Sequence, residues 1–277
     1  MNRRKAMTIA AGVIAGSGAG LLTLTNAFKP EIVFDNEPHK LDYKQVEDDW
    51  KYSQLDPVVT AELAYKYYNE GSCMYATVKS IISQLVEKVG EPYKSFPIHL
   101  FKYGHGGVGG YGSICGALNG TAALLGLLVS DNSVRDNIIT DVFRWYENES
   151  LPKFNPQNSS YDYTPVESIS QSILCHASNT NWCKTSGFKV NSNERKERCR
   201  RMTSDVVKKV TISLNELSAD NYTTNVYNDE TVNTCVTCHG STGKVNNTAA
   251  KMSCNSCHTE SAGHRVFSDI HYKLMKE

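Results

Sequence analysis

The sequence has no excess of either charge and no basic tract. Its 29 lysines and arginines balance 29 aspartates and glutamates, so the formal net charge of the 277 residues is 0. Proteins that bind nucleic acid cluster basic residues to neutralise phosphates, so nucleic acid is not an expected partner. The strict alternation of apolar and polar residues that marks half-buried strands is also missing. A mainly helical protein is therefore expected.

Two kinds of catalytic or binding motif are missing as well. Residues 104–113 read GHGGVGGYGS, but no lysine follows at the spacing of a Walker motif. These glycines either let backbone N–H groups approach an anionic group or simply form a tight turn. No set of acidic and basic side chains suited to acid–base catalysis stands out in the cysteine-rich C-terminal region.

The first 27 residues predict an export signal. Arg3, Arg4 and Lys5 precede a mildly apolar stretch rich in Ala and Gly, and Ala27 offers a small residue for cleavage. A membrane anchor is the alternative, since the stretch approaches spanning length, but its four glycines weaken that interpretation. The arginine pair indicates the twin-arginine route, with ordinary Sec export as the alternative. The expected location is the periplasm.

One short pattern occurs twice near the C-terminus. Residues 235–239 read Cys-Val-Thr-Cys-His, and residues 254–258 read Cys-Asn-Ser-Cys-His. The 15 residues between Cys238 and Cys254 also suit a zinc ribbon, but four thiolates would leave no role for the two histidines. In c-type haem attachment, the cysteines form thioethers to the porphyrin and the adjacent histidine ligates the iron. The repeat therefore predicts two covalent haems per chain. Their thioethers would form at Cys235, Cys238, Cys254 and Cys257, and their proximal ligands would be His239 and His258.

Two later histidines, His264 and His271, are the candidate distal ligands of the haem irons. A seven-residue step rises on the order of 10 Å in a helix, so one helix could offer a histidine to each of two neighbouring haems. The alternatives are His105 in the glycine-rich loop, His176 beside the cysteine at position 175 and, more weakly, Met275.

Hydrophobic periodicity predicts a helical domain over residues 57–217. Apolar residues recur at helical spacing from Val78 to Val89, and Gly90 follows this run. Residues 113–130 are small and apolar on nearly every face, which predicts a buried central helix. The other expected elements are helices at 136–149 and 194–217 and, between them, a long loop with prolines at 152, 156 and 165.

The expected organisation is a helical bundle followed by a small, irregular dihaem domain, within a mainly α fold. The last segment is polar, with few large apolar residues, so it cannot offset its conformational entropy without its cofactors. It should fold around haem and be disordered without it. The predicted parts are an export signal (1–27), a polar lead-in (28–56), a helical cysteine-containing redox domain (57–217) and a dihaem cytochrome c segment (218–277).

Five further cysteines lie in or beside the predicted helices: Cys73, Cys115, Cys175, Cys183 and Cys199. Disulfides are the ordinary expectation in an exported protein, but an odd number leaves one thiol over. Buried cysteines can also act as small apolar side chains. An iron–sulfur cluster, which takes four thiolates, is the third interpretation. Residue types alone leave these interpretations open.

Residues 115–120, Cys-Gly-Ala-Leu-Asn-Gly, match the signature of the redox-active four-cysteine (C_GCAxxG_C_C) family. In that family one cysteine precedes the signature on a helix and two follow it. By this resemblance Cys73 takes the first place and Cys199, at the opening of a helix, the last. The third place falls to Cys175 or Cys183, and the extra cysteine departs from the family pattern.

This domain, joined to two C-terminal haem motifs behind an export signal, resembles the split-Soret cytochromes c over nearly the whole chain after the signal. The resemblance implies a homodimer whose paired haems stack closely at one end of the molecule, with bis-histidine irons. A histidine of the dimer partner is then a further alternative as distal ligand. The resemblance also implies a non-haem iron–sulfur centre. It further implies electron transfer, through redox partner proteins, in anaerobic bacterial respiration. An electron carrier is therefore expected rather than a catalyst. The alternative is a haem enzyme whose iron keeps an open position for a small substrate such as nitrite or peroxide.

Overall fold

The computed structural model describes residues 50–224, 230–249 and 251–254. This part of the chain is mainly helical, as expected. Two short 3-10 helices, Tyr93–Ser95 and Ile98–Tyr103, precede the second α-helix, and a two-stranded antiparallel ladder joins β1 (Ser150–Leu151) to β2 (Ser168–Ile169). The α-helices are α1 (Pro57–Lys88), α2 (Gly116–Leu128), α3 (Asn132–Asn148), α4 (Cys175–Ser186), α5 (Asn193–Ser218) and α6 (Glu230–His239).

Local sequence signals explain where the long helices begin. Asp56 precedes α1 and accepts hydrogen bonds from the N–H groups of Val58 and Val59 at 2.7 and 3.2 Å. Asp131 caps α3 and Ser192 caps α5 in the same way, each through its side-chain oxygen. Such caps satisfy backbone donors that the first turn leaves unpaired. They move the starts of α3 and α5 upstream of the predicted positions.

The core forms where α1 packs against α5 and α2. Ile81 and Leu85 of α1 and Leu118 and Leu125 of α2 are completely shielded from solvent, as is Val206 of α5. α2 is thus the central apolar helix that the sequence predicts. α1 is interrupted at Gly71 and Ser72, where Ser72 has a φ of 65°. This break lies directly before Cys73 and turns that side chain into the core.

Two expectations need correction. The predicted long loop between α3 and α5 contains α4, so Cys175 and Cys183 lie on a helix rather than on a loop. α4 is mostly polar and has no apolar period; its Trp182 is fully buried and donates a hydrogen bond from Nε1 to the Val166 carbonyl at 3.0 Å. Cys199 does not open a helix, because α5 starts six residues earlier, at Asn193.

No helix in the described ranges has both the length and the apolar character that crossing a bilayer requires.

Candidate metal centre

Two helices begin side by side at a short antiparallel bridge. The N–H of Cys115 donates to the Ile173 carbonyl at 2.8 Å, and the N–H of Cys175 donates to the Ser113 carbonyl at 2.7 Å. Cys115 is the N-cap of α2, and Cys175 is the first residue of α4. Both thiols therefore lie at the positive ends of helix dipoles, which favour a thiolate.

Cys73 reaches the same place from α1 because Gly116 has no side chain. A Cβ at Gly116 would lie 2.1 Å from the Gly104 carbonyl oxygen and 2.8 Å from Cys73 Sγ, closer than atoms can approach. The Cys73 thiol donates to the Gly104 carbonyl at 3.7 Å. The glycine that follows Cys115 in the signature is thus required by the close approach of two backbones and a thiol. The glycine-rich loop contributes a carbonyl rather than N–H groups to this contact.

Cys199 completes the group from α5 through the amide of Asn179. The amide nitrogen of Asn179 donates to Cys175 Sγ at 3.2 Å, and the Cys199 thiol donates to the amide oxygen at 3.5 Å. Cysteines from four helices are therefore brought together: Cys73, Cys115, Cys175 and Cys199 are hereafter the cysteine cluster.

The pKa values of three cluster thiols are raised. Burial raises the pKa of Cys73 well above its ordinary value, and the other cluster thiols raise it further. Burial and then Cys115 and Cys199 raise the pKa of Cys175 to about 12. Burial also raises the pKa of Cys115, although Tyr146 and the N–H groups at the start of α2 act in the opposite direction. These thiols are protonated at neutral pH unless a metal binds them.

Cys183 lies apart from the cluster. It is more than two turns further along α4 than Cys175 and lines a surface pocket with Thr180, Lys184 and Phe188. Burial raises its pKa, while Arg195 and Arg198 lower it. Of the two cysteines that the sequence left as alternatives for the third position, the structure brings only Cys175 to the other three.

A buried arginine faces the cysteine cluster. Arg198 is 0% exposed; its Nη2 donates to Ser178 Oγ at 2.8 Å, its Nη1 lies 3.9 Å from Cys199 Sγ, and its Nε has no hydrogen-bond partner. Burial lowers the pKa of Arg198, but the facing Cys199 and Tyr146 more than offset this and hold that pKa above its ordinary value. No carboxylate of the described residues pairs with this guanidinium.

The neighbouring arginines show how different this environment is. Arg200 and Arg201 both pair with the fully buried Glu197, Arg201 at 2.8 Å. Arg195, like Arg198, faces a thiol instead, with Nη1 4.0 Å from Cys199 Sγ. Burying a charged side chain without a counter-charge destabilises a protein by on the order of several kcal/mol. The environment of Arg198 is therefore suited to an anionic group held at the cysteine cluster.

The spacing of the four thiols decides which kind of metal group they could hold. Within the described ranges, no three cysteine, histidine or carboxylate side chains are close enough to hold one metal ion. A cluster of several irons separates its thiolates more widely, because irons and sulfides lie between them, and it takes four cysteines. None of the eight cysteines in this part of the chain forms a disulfide.

The first haem motif lies on α6. Cys235 and Cys238 are three residues apart on this helix, so their side chains share one side of it. His239 ends α6, and its Nδ1 is 2.9 Å from Asn247 Oδ1. A metal-binding histidine generally donates its other ring N–H to an oxygen, which fixes the tautomer. Donation from Nδ1 to Asn247 corresponds to the tautomer in which Nε2 carries the metal-binding lone pair.

The remaining predicted haem residues are only partly described. Cys254 is half-buried, and the adjacent Ser253 donates from its N–H to Glu147 Oε1 of α3 at 3.1 Å. His105 and His176 are both exposed. Four predicted site residues lie outside the described residues: Cys257, His258, His264 and His271.

Sequence reasoning missed Asn179, Arg198 and Asn247. The only signal for Arg198 was an arginine beside a predicted cysteine ligand, and four arginines share that stretch of α5. Asn179 lies one helical turn after Cys175, which becomes a signal only once α4 is known to be a helix.

Comparisons with known proteins identify the family to which this chain is similar. Residues 75–212 match the family model described as "Putative redox-active protein (C_GCAxxG_C_C)". The chain is 34% identical over 221 residues to the split-Soret cytochrome c of Desulfovibrio desulfuricans. The aligned region covers 77% of this chain and 78% of that protein. The chain is also similar to the solved structure of a split-Soret cytochrome c from that species, described as having a novel iron centre. The TM-score is 0.71 and the identity 32%, over 79% of this chain and 92% of the other.

Proposed function

The chain belongs to the split-Soret cytochrome c family, and on this basis we propose that it is an electron carrier with two covalent haems and one iron–sulfur centre. Membership of this redox-active family supports electron transfer; the two haems and the iron–sulfur centre are what we propose in addition. We place the protein in the periplasm as a homodimer that serves redox partner proteins in anaerobic respiration. Haem and cluster each supply a reversible one-electron couple.

The observation that best supports the iron–sulfur centre is the unpaired charge of Arg198 beside four convergent thiols. The raised pKa values of Cys73, Cys115 and Cys175 mean that these three thiols would be neutral without a metal, and Arg198 has no carboxylate partner among the described residues. Metal-bound cysteines are thiolates, so a bound centre supplies the missing negative charge. The residues Cys73, Cys115, Cys175 and Cys199 would hold it, and Cys183 would not.

The two haem motifs support the rest of the proposal. On α6, Cys235, Cys238 and His239 have the helical spacing that attachment and ligation by one porphyrin require. The contact between His239 Nδ1 and Asn247 supports Nε2 as the nitrogen that would ligate iron. For the second haem we propose Cys254 and Cys257 as attachment points and His258 as proximal ligand, with His264 and His271 as distal ligands.

The decisive experiment is a cofactor count on the purified, exported protein. We expect a pyridine-haemochrome value of two haems per chain, non-haem iron in addition, and acid-labile sulfide. Bound zinc without a haemochrome signal would refute the haem assignment, and disulfides among Cys73, Cys115, Cys175 and Cys199 without sulfide would refute the centre. A purely low-spin ferric spectrum is expected of a carrier, whereas a high-spin component would favour a haem enzyme. Replacing Arg3 and Arg4 by lysine tests whether export uses the twin-arginine route.

A further inference from the structure

The glycine-rich loop at residues 104–112 is ordered by its own backbone and exposes one aromatic side chain. Tyr111 is 91% exposed. The N–H groups of Gly109, Gly110 and Gly112 donate to carbonyls of residues 103–106 at 2.8–2.9 Å. Five glycines of the loop have a positive φ, which allows the chain to turn this tightly. Tyr111 is therefore presented to solvent on a hydrogen-bonded backbone.

This loop packs against the cysteine cluster. Its first residue, Gly104, accepts a hydrogen bond from the Cys73 thiol at 3.7 Å. Its other end meets the start of α4, where the N–H of His176 donates to the Gly112 carbonyl at 3.0 Å. Cys175, which precedes His176, is the one member of the cluster that is not buried. The cluster therefore comes closest to solvent beside the loop.

The two segments that meet here carry no carboxylate. Neither residues 92–130 nor residues 168–193 contain an aspartate or a glutamate, whereas lysines and histidines occur in both. Lys102, His105 and His176 are all exposed. The surface beside the cluster is therefore basic or neutral, although the chain as a whole has no net charge.

The acidic side chain that approaches this surface from α1 is already paired. Lys102 Nζ lies 5.3 Å from the centroid of the Tyr75 ring, and the Tyr75 hydroxyl donates to Glu70 Oε2 at 3.3 Å. Glu70 also forms an ion pair with Lys79. No carboxylate of the described residues pairs with Lys102, so its charge is available to a partner.

We propose that residues 104–112 and Lys102, hereafter the docking loop, bind an acidic one-electron carrier protein that reduces the iron–sulfur centre. The inference rests on the proposed function, because it presupposes this centre. A tyrosine on an ordered backbone offers contact area at little entropic cost, and tyrosines are enriched among the residues that dominate interface energies. A surface without carboxylates attracts an acidic partner. The carrier loses one electron and the centre gains one, and no bond is formed or broken.

The charge of the docking loop argues against a second copy of this chain as its occupant. In a two-fold symmetric dimer the same patch faces itself, so Lys102 would lie opposite like charge. An acidic carrier meets no such repulsion. Docking here also brings the carrier to the side on which Cys175 is closest to solvent, and electron transfer slows steeply with distance.

The test measures binding and electron transfer between the purified holoprotein and a flavodoxin, which serves as the acidic one-electron probe. Titration calorimetry with both proteins oxidised gives the dissociation constant. Mixing with flavodoxin hydroquinone, followed by rapid-freeze electron paramagnetic resonance, distinguishes the flavin radical from the reduced centre. We expect both the affinity and the second-order rate constant to fall as ionic strength rises, because salt screens opposite charges.

Two variants locate the contact on the docking loop. Tyr111→Ser removes the exposed ring and should weaken flavodoxin binding about tenfold. Lys102→Glu reverses a charge and should lower the second-order rate constant about tenfold. Lys208→Glu is the matched control: Lys208 is an exposed residue of α5, about 13 Å along that helix from Cys199. This control should change affinity and rate less than about twofold.

The inference is overturned if flavodoxin does not bind the native protein, or if neither variant weakens binding more than Lys208→Glu does. A lower mass of Tyr111→Ser than of the native protein in light scattering would also overturn it, because the loop would then be a contact between copies of this chain. A native protein without acid-labile sulfide would instead overturn the proposed centre. Calorimetry needs no centre, so the two failures are distinguishable.

Discussion

Arg198 Nη1 lies 3.9 Å from the Sγ of its chain neighbour Cys199, and both side chains are buried. Consecutive residues of a helix normally point about 100° apart, so their side chains meet here only because Arg198 bends back towards the cysteine cluster. Ser178 Oγ accepts a hydrogen bond from the other terminal nitrogen, Arg198 Nη2, at 2.8 Å. The contact puts a positive charge beside the proposed iron–sulfur centre.

Removal of this charge should lower the potential of the centre. Reduction adds negative charge, which Arg198 stabilises, so Arg198→Met should make the centre harder to reduce or weaken its binding. Arg198→Lys keeps the charge and should stay closer to the native potential. Redox titration followed by electron paramagnetic resonance measures both variants. Equal potentials in Arg198→Met and the native protein would contradict an electrostatic role.

Gly116→Ala should abolish the iron–sulfur centre but leave the haems. The added Cβ would collide with the Gly104 carbonyl at 2.1 Å and with Cys73 Sγ at 2.8 Å, so Cys73 and Cys115 could not approach. Gly126→Ala on the same helix is the matched control, since a Cβ there meets nothing within 4 Å. This control should retain sulfide and gain about 0.5–1 kcal/mol of stability. Sulfide analysis and thermal unfolding provide the measurements.

Cys175→Ser should have a different effect on the iron–sulfur centre from Cys183→Ser. Cys175→Ser removes a member of the cysteine cluster and should lead to loss of acid-labile sulfide. Cys183→Ser changes a thiol in a separate surface pocket and should leave iron and sulfide unchanged. The opposite result would move the ligand assignment to Cys183 and would require α4 to turn or unwind.

Asn247→Leu should raise the potential of the first haem only. The hydrogen bond from His239 Nδ1 to Asn247 Oδ1 makes the imidazole a more basic ligand, which favours ferric iron. Leucine has a similar size but cannot accept this hydrogen bond. Thr248→Val, at the next position, is the control that keeps Asn247. If both haem potentials stay unchanged in Asn247→Leu, Asn247 does not orient His239.

The sequence by itself predicts the chemistry that contiguous residues carry. A c-type haem is attached and ligated within five consecutive residues, so the repeat at 235–239 and 254–258 predicts both haems without any knowledge of the fold. The signature at 115–120 likewise indicates the redox-active family, and the family model confirms it. The second half of α1 was predictable from its apolar period, and α2 from an apolar run on nearly every face, because these residues form the core.

Only the tertiary structure decided which of the remaining residues act together. Cys73 and Cys199 are 126 positions apart, and their meeting depends on how α1 packs against α5. The choice of Cys175 over Cys183 depends on the bridge that starts α2 and α4 together, because eight residues along a helix move a side chain about 12 Å. The partners of Arg198 and Arg200 also depend on tertiary structure. Helix phase and packing direct one arginine to thiols and the other to Glu197, and no local pattern distinguishes them.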